Sequence, residues 1–378
     1  MIWLFDNKRV AFISRIIVKN KDVALASEVN KKKRLNKRPR IKMDDLAHLA
    51  GVSKSTISRA LSDNASVSVK TRDKIKELAK AHNYRLNVSA RNFFLKETLT
   101  IAVLMPMTNS SDWRVLDPFF LELLGNIADA LNEAGHELLL AKTSSQSVNW
   151  IEDYTKLQRC DGMILIGQGS EHDKINHLSE TFDAFVVWGA KLPGQKYCSV
   201  GSDNLSGGKM ATEHLLSLGR KKLVFLGDKN LPEVNLRHKG YLDALKKTGI
   251  EPDDRLEVNT PFESEAAFAA TLALIDKGTH FDGIVAASDV LAMSAIRALR
   301  RRGLDVPEDV SVIGYDDIML SSFYNPALTT VRQNCAEGGH QMVKNLLRIL
   351  DGEDPKSVLL PTKLVVRSSC GAELTKNL

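Results

Sequence analysis

The chain has 378 residues, with 52 Lys and Arg against 46 Asp and Glu for a formal net charge of +6, a length that suits two or three domains. Residues 1–96 carry 23 basic and 8 acidic side chains and the remainder 29 and 38, a basic head on an acidic body that fits a nucleic-acid module joined to something else. The four cysteines, Cys160, Cys198, Cys335 and Cys370, have neither C-x-x-C nor His-paired spacing, which argues against a zinc site or a disulfide framework and for a reducing, cytoplasmic compartment.

Near the start, Val10–Val18 is the one apolar run. It is about half a membrane span and contains Arg15, so neither a transmembrane helix nor a signal peptide is expected. Lys31–Arg40, KKKRLNKRPR, is a charge run. Three readings of residues 1–41 stay open: a basic arm that adds affinity for DNA, a tail without fixed structure, or a true start downstream, near Val29 or later. The last is preferred.

Asp44–Leu61, DDLAHLAGVSKSTISRAL, holds two short helical patterns around one glycine. Leu46, Ala47 and Ala50 form a narrow apolar face, and Gly51 can take the positive φ of a tight turn. Val52 reaches back to the core and Ser53 opens the second helix as an N-cap. Ile57, Ala60 and Leu61 make that helix's buried stripe. Lys54, Ser55, Thr56, Ser58 and Arg59 are left outward, a face suited to phosphates and base edges. The pattern predicts a helix-turn-helix with Ser53–Leu61 as recognition helix; an ordinary helical hairpin with a solvated polar face is the alternative. Ser62–Ser66 reads as a loop, and Ser68 caps a third helix to about His82 that buries Ile75, Leu78 and Ala79. Tyr84 closes the small core. Arg85–Lys96 is a linker with helical potential, capped at Asn87 and carrying Phe93 and Phe94.

From Leu99 the character changes. TIAVLMPM is a buried strand, and Asp117-Pro118 starts a helix through Ala134 that ends at Gly135. HELLLA, DGMILIG and AFVVWGA follow as strands, with helices through 150–158 and 175–179. A second set repeats the rhythm. Helices over 207–218, 237–248 and 290–302 separate the strands KLVFLG, FDGIVAAS and VSVIGYDD. Buried strands alternating with helices predict parallel sheets covered on both faces, in two α/β subdomains with a cleft at the carboxyl ends of the strands. Gln168 and Trp188 end strands that face this cleft.

With DLAHLAGVSKSTISRALSDN, KTRDKIKELAKAHNY, DPFFLEL, VGSDNLSGGKMATEHLLSLGRKKLVFLG, RHKGYLDAL, SDVLAMSAIRALRRRGLDVPEDVSVIGYDD and PALTTVRQ in order, the chain resembles the lactose/galactose repressor family over about residues 41–370. The resemblance implies a small all-α helix-turn-helix headpiece on an α/β periplasmic-binding-protein-like core of two parallel-sheet subdomains. Residues 1–40 would be the basic extension, 41–84 the headpiece, 85–97 a hinge-helix linker and 98–378 the core. The first subdomain would take about 98–189 and 331–356, the second about 190–330 and 357–378.

The resemblance also implies site residues. Lys54, Ser55 and Arg59 match base-reading positions, and Thr56 and Ser58 phosphate-anchoring ones. Asn87, Arg91 and Phe93 fall in the hinge helix, where Phe93 replaces a leucine that relatives insert into the minor groove. Leu86 stands for a common proline and Lys42 for a common threonine cap. In the cleft, Arg237 matches an effector-binding arginine, Asp289 an aspartate that takes sugar hydroxyls and Phe262 an aromatic that stacks on the effector. Phe119 and Phe120 line the opposite wall in some relatives, with Asp117 in place of asparagine. A carboxylate and a guanidinium can satisfy vicinal hydroxyls while an aromatic face covers the C–H side of a sugar. For Arg237, Asp289 and Phe262 a purely structural role remains the alternative, and Trp188 is a candidate second platform. Asp203 is read as a structural strand-end residue.

An enzyme on this core is the rival class. GSDNLSGGK lacks the earlier glycine and the Ser/Thr of a phosphate loop, and neither H-E-x-x-H nor G-x-S-x-G occurs. A solute-binding protein would not need the basic head. The expected function is a cytoplasmic, nucleoid-associated regulator, with no catalytic residue, metal or cofactor. It would be a repressor of sugar utilisation that binds a near-palindromic operator as a homodimer or tetramer and is controlled by a carbohydrate; the alternative effector is a nucleoside, nucleobase or phosphorylated sugar. If the preferred start is right, mass spectrometry of the native protein finds no peptide from Met1–Lys19. Detecting one refutes it.

Overall fold

Apolar residues at helical spacing build the first of two units, residues 1–91 and 92–378. The computed structural model describes residues 41–61, 65–82, 84, 98–105, 117–142, 160–169 and 171–372. The expected extension 1–40, the hinge linker 85–97 and the helix over 150–158 lie outside the described residues.

In the first unit, α1 (Met43–Ala50), α2 (Lys54–Leu61) and α3 (Val69–Ala81) meet around Leu46, Ile57, Ala60 and Ile75, all fully buried. Val52, Leu61, Leu78 and Tyr84 pack at the edge of this cluster. Gly51, at φ 70°, ends α1 and turns the chain into α2, where the Ser53 hydroxyl accepts the Thr56 N–H at 3.2 Å. Lys42 has no side-chain acceptor to cap α1. Instead the Asp45 carboxylate accepts the Lys42 N–H at 2.9 Å, so α1 starts without the threonine.

The second unit holds two six-stranded sheets. The first has the order β11-β5-β4-β3-β1-β2, built from β1 (Thr100–Met105), β2 (Glu137–Lys142), β3 (Gly162–Ile166), β4 (Phe185–Trp188), β5 (Cys198–Ser202) and β11 (Val358–Leu360). The second has the order β12-β10-β9-β8-β6-β7, from β6 (Leu223–Leu226), β7 (Glu257–Val258), β8 (Gly283–Ala286), β9 (Ser311–Asp316), β10 (Thr329–Arg332) and β12 (Lys363–Val365). The strand pairings are parallel except β10 with β12. Apolar runs such as IAVLM and GMILI are buried along their whole length because helices cover both faces.

Strand membership corrects the subdomain boundaries. Cys198–Ser202 was expected in the second subdomain, but it pairs in parallel with β4 through Val186↔Cys198. Val358–Leu360 in turn pairs with β5, so both belong to the first sheet. Conversely β10 lies in the second sheet, and the chain re-enters the first subdomain only with α11 (Cys335–Leu350), which buries Cys335, Met342, Val343 and Leu346 in the first core. The chain therefore crosses between subdomains three times, near Asp203, at 333–334 and at 361–362. Asp203, the N-cap of α6 (Asn204–Ser217), sits at one crossing and its N–H donates to the Leu360 carbonyl of another at 2.8 Å.

Two glycines set the closest helix contact. A Cβ on Gly208 of α6 would lie 2.0 Å from the Arg237 carbonyl, and one on Gly240 of α7 (Pro232–Lys247) 2.1 Å from the Leu205 carbonyl. Backbone meets backbone there, so no side chain can yield. Gly240→Ala is expected to cost about 1–3 kcal/mol in urea unfolding. Unchanged stability would show that α6 and α7 can separate without penalty.

Candidate DNA-binding face and effector cavity

In the headpiece, Lys54, Ser55 and Arg59 are exposed on α2, and Thr56 and Ser58 are half-buried beside them. All five lie on the side away from Ile57 and Ala60. Several are already engaged: Lys54 pairs with Asp44 at 2.5 Å, and the Ser55 and Thr56 hydroxyls each bond Ser53 at 2.8 Å. The Lys54 pair is well exposed, so a phosphate or base edge can displace Asp44 at small cost. Asn87, Arg91 and Phe93 lie outside the described residues.

In the core, residues following strands of both sheets converge on one cavity. It holds about 610 Å³ of space, its open mouth included. From the first sheet come Phe119 and Phe120 at the start of α4 (Pro118–Glu133), Gly167 and Gly169 after β3, and Trp188 at the end of β4. From the second come Glu233 and Arg237 on α7, Phe262, Asp316 at the end of β9, and Gln333 after β10. These are the carboxyl ends of strands, where an open α/β sheet offers loops and helix starts to a ligand.

Arg237 is held from three sides. Its Nε donates to Asn204 Oδ1 at 2.8 Å, Nη1 to the Ala287 carbonyl, and its plane lies 3.7 Å from the centre of the Tyr315 ring. Asp316 accepts from Gln333 Nε2 at 2.7 Å through Oδ1 and feels Arg237's charge. Burial pushes the Asp316 carboxyl well above the ordinary range, with Arg237 opposing and Asp289 adding to the rise. Asp316 and Asp317 have φ of 118° and 61°, left-handed conformations that non-glycine residues rarely adopt. Phe119 lies edge-on to Phe120, with centroids 5.5 Å apart, and 6.0 Å from Trp188. Trp188 is only 4% exposed because its ring is wedged on Gly338 of α11, so it offers the cavity a rim and not a face.

Five of the seven expected effector residues, Phe119, Phe120, Trp188, Arg237 and Phe262, therefore line one cavity; two do not. Gln168 is fully buried on the other side of its strand end, donating to the Ala190 carbonyl at 2.7 Å and to Tyr197 Oη at 2.8 Å. The flanking glycines face the cavity in its place. Asp289, expected at sugar hydroxyls, is also fully buried, and both its oxygens are taken by the chain's own donors: Ile318 N, Ser321 Oγ and Thr330 Oγ1. Its carboxyl is pushed upward by burial, against the pull of these three bonds. Asp316, Gln333 and Glu233 were not singled out from the sequence. The strand-end rule, applied to VSVIGYDD as it was to FDGIVAAS, would have found Asp316.

A helix-turn-helix unit, together with a two-sheet α/β core that holds a polar and aromatic cavity, defines the class of helix-turn-helix DNA-binding proteins. Residues 42–87 match the profile of bacterial regulatory proteins, lacI family, and residues 212–370 that of the periplasmic binding protein-like domain. The regulator CelR of Thermobifida fusca is 30% identical over 341 residues, which cover 89% of this chain and all of CelR. Among solved structures, a CelR–cellobiose complex superposes with a TM-score of 0.66 at 29% identity, covering 87% of this chain and 100% of that one. The lac repressor dimer bound to operator and the anti-inducer ONPF gives 0.77 at 26% identity, with 87% and 99% covered. The chain belongs to the LacI family of bacterial transcriptional regulators and is a DNA-binding regulator, not an enzyme.

The raised carboxyls carry a pH signature. The folded protein holds protons that the unfolded chain releases, so their stabilising contribution is fully present below the ordinary 3.8 and is lost as pH rises through the folded-state values. Stability should fall from about pH 4 toward neutrality on this account, and less steeply in Asp316→Asn. Equal slopes in urea titrations across that range would contradict the assignment.

Proposed function

We propose that the protein is a repressor whose operator affinity is controlled by a neutral sugar or glycoside bound in the cavity between the two sheets. The observation that carries this reading is the convergence of Arg237, Asp316, Gln333 and the rings of Phe120 and Phe262 on one space. Guanidinium, carboxylate and amide suit the in-plane hydroxyls of a pyranose, and aromatic faces suit its C–H side. The cellobiose of the CelR complex is a ligand of that kind.

Charge separates this from the reading with a phosphorylated effector. Among the described lining residues, Asp117, Glu233 and Asp316 are carboxylates against the single guanidinium of Arg237. A phosphate there would have the one guanidinium of Arg237 to bind it among the described lining residues. On DNA, Lys54, Ser55 and Arg59 would read bases while Thr56 and Ser58 hold phosphates, and Asn87, Arg91 and Phe93 would act at the hinge, with two copies on a near-palindrome as in the lac repressor dimer. Closure of the sheets on the sugar alters operator affinity only if the sugar prefers one core state.

The test is anisotropy of labelled DNA from upstream of the protein's own coding sequence, titrated with cellobiose, maltose, ribose and glucose 6-phosphate. A neutral sugar is expected to shift operator affinity tenfold or more, about 1.4 kcal/mol of coupling. Arg237→Lys, which replaces the fork by a point charge, should weaken that response about tenfold. Arg59→Ala should weaken operator binding by about 1–3 kcal/mol. A response to the phosphorylated sugar alone would reverse the effector assignment.

A further inference from the structure

The cavity wall is not free-standing. Asp316 and Asp317 sit side by side at positive φ, a run of backbone that local preference does not hold. Three tethers hold it instead. Asp317 pairs with Arg332 at 2.5 Å and Arg367 at 2.7 Å. The third is Asp289, whose Oδ2 accepts the Ile318 N–H at 2.9 Å and the Ser321 hydroxyl at 2.6 Å while Oδ1 accepts the Thr330 hydroxyl at 2.5 Å. This one carboxylate joins the start of α9 (Asp289–Arg301), the turn after β9, and β10. It lies flat on β9, where a Cβ at Gly314 would come 2.1 Å from Oδ1.

The held turn and the short helix after it face three ways within eight residues, 316–323. Asp316 faces the cavity. Ile318 is 3% exposed and packs not in its own subdomain's core but in that of the first sheet, beside Val290 and Met293 of α9. Met319, Leu320 and Phe323 stand outside, 73%, 50% and 77% exposed. We propose that Asp289 is a positioning residue that clamps this turn, so that the cavity carboxylate, the Ile318 plug into the neighbouring subdomain and the apolar surface of α10 (Leu320–Phe323) shift as one piece.

The consequence for the regulator is specific. A ligand that draws on Asp316 pulls on the same rigid turn that Ile318 anchors across the subdomain boundary, so cavity occupancy and subdomain packing are linked through a buried, fully satisfied carboxylate. Removing one donor leaves that carboxyl under-satisfied at a fully buried site. Only the link to the ligand rests on the sugar-cavity reading; the clamp itself does not.

The test compares Asp289→Ala, Asp289→Asn and Thr330→Val with the wild-type full-length protein by hydrogen exchange. Peptides spanning residues 316–323 are read against peptides from α7 as an internal standard. Asp289→Ala and Thr330→Val are expected to lose at least tenfold protection in 316–323 with little change in α7. Asp289→Asn, whose amide can accept from Ile318 and Ser321 and donate to Thr330, is expected to keep most of it. Loss of protection equally in both regions, or none in 316–323, overturns the clamp. Cellobiose binding is then measured on each variant that keeps α7 protection. If the wild type binds cellobiose, Thr330→Val should bind it at least threefold more weakly, and equal affinity would overturn the link. If the wild type does not bind it, the choice of sugar fails while the exchange result still decides the clamp.

Discussion

A guanidinium taken almost wholly out of water must have its nitrogens satisfied in place, and the core is arranged around that requirement at Arg237. Asn204 begins α6, Ala287 directly follows β8, and Tyr315 lies in β9, so three elements of the second subdomain must converge on one side chain. They can do so only because α6 and α7 touch backbone to backbone at Gly208 and Gly240. A pair of glycines with no visible chemistry thus decides where the cavity's only described cation points.

The second organising fact is that the chain passes between subdomains three times, at neighbouring points. A single linker would leave two bodies free to rotate. Three strands crossing side by side, with Asp203 N–H on the Leu360 carbonyl and the Thr362 hydroxyl on the Asp203 carbonyl at 3.4 Å, restrict the motion to a hinge. The cavity opens beside these crossings, and Ile318 adds a fourth contact by packing into the opposite core. Asp289 serves the scaffold of this joint, which explains both its burial and its distance from the ligand space.

The headpiece and the alternation of strands and helices were legible in the sequence because each rests on local spacing, whereas the aromatic wall of the cavity was implied only by the family resemblance. Gly51, Ser53 and Ser68 mark helix ends within a few residues, and TIAVLM or DGMILI announces a buried strand. Less was visible where the signal is weak or split. Cys198–Ser202, CSVGS, with two serines and a glycine among five residues, does not look like a central strand. The helices Ser264–Asp276, between β7 and β8, and Cys335–Leu350, after β10, were not separated from their surroundings. Helix starts were placed late, at Gly207 and Arg237, because the polar first turns from Asn204 and Pro232 carry no apolar period.

The sequence by itself determined the class of protein: a basic helix-turn-helix, an α/β core and a set of ordered motifs, all of which are properties of neighbouring residues. Only the tertiary structure decided which carboxylate faces the cavity. Asp289 and Asp316 each stand at the carboxyl end of a buried strand, one after FDGIVAAS and one within VSVIGYDD, and by residue type and position they are equivalent. What separates them is the company that folding brings from 29 to 41 residues away, Ile318, Ser321 and Thr330, which engages both oxygens of the first. The second gives one oxygen to Gln333 and lines the cavity. Hydrogen-bond satisfaction is a property of the assembled neighbourhood, and no spacing along the chain encodes it.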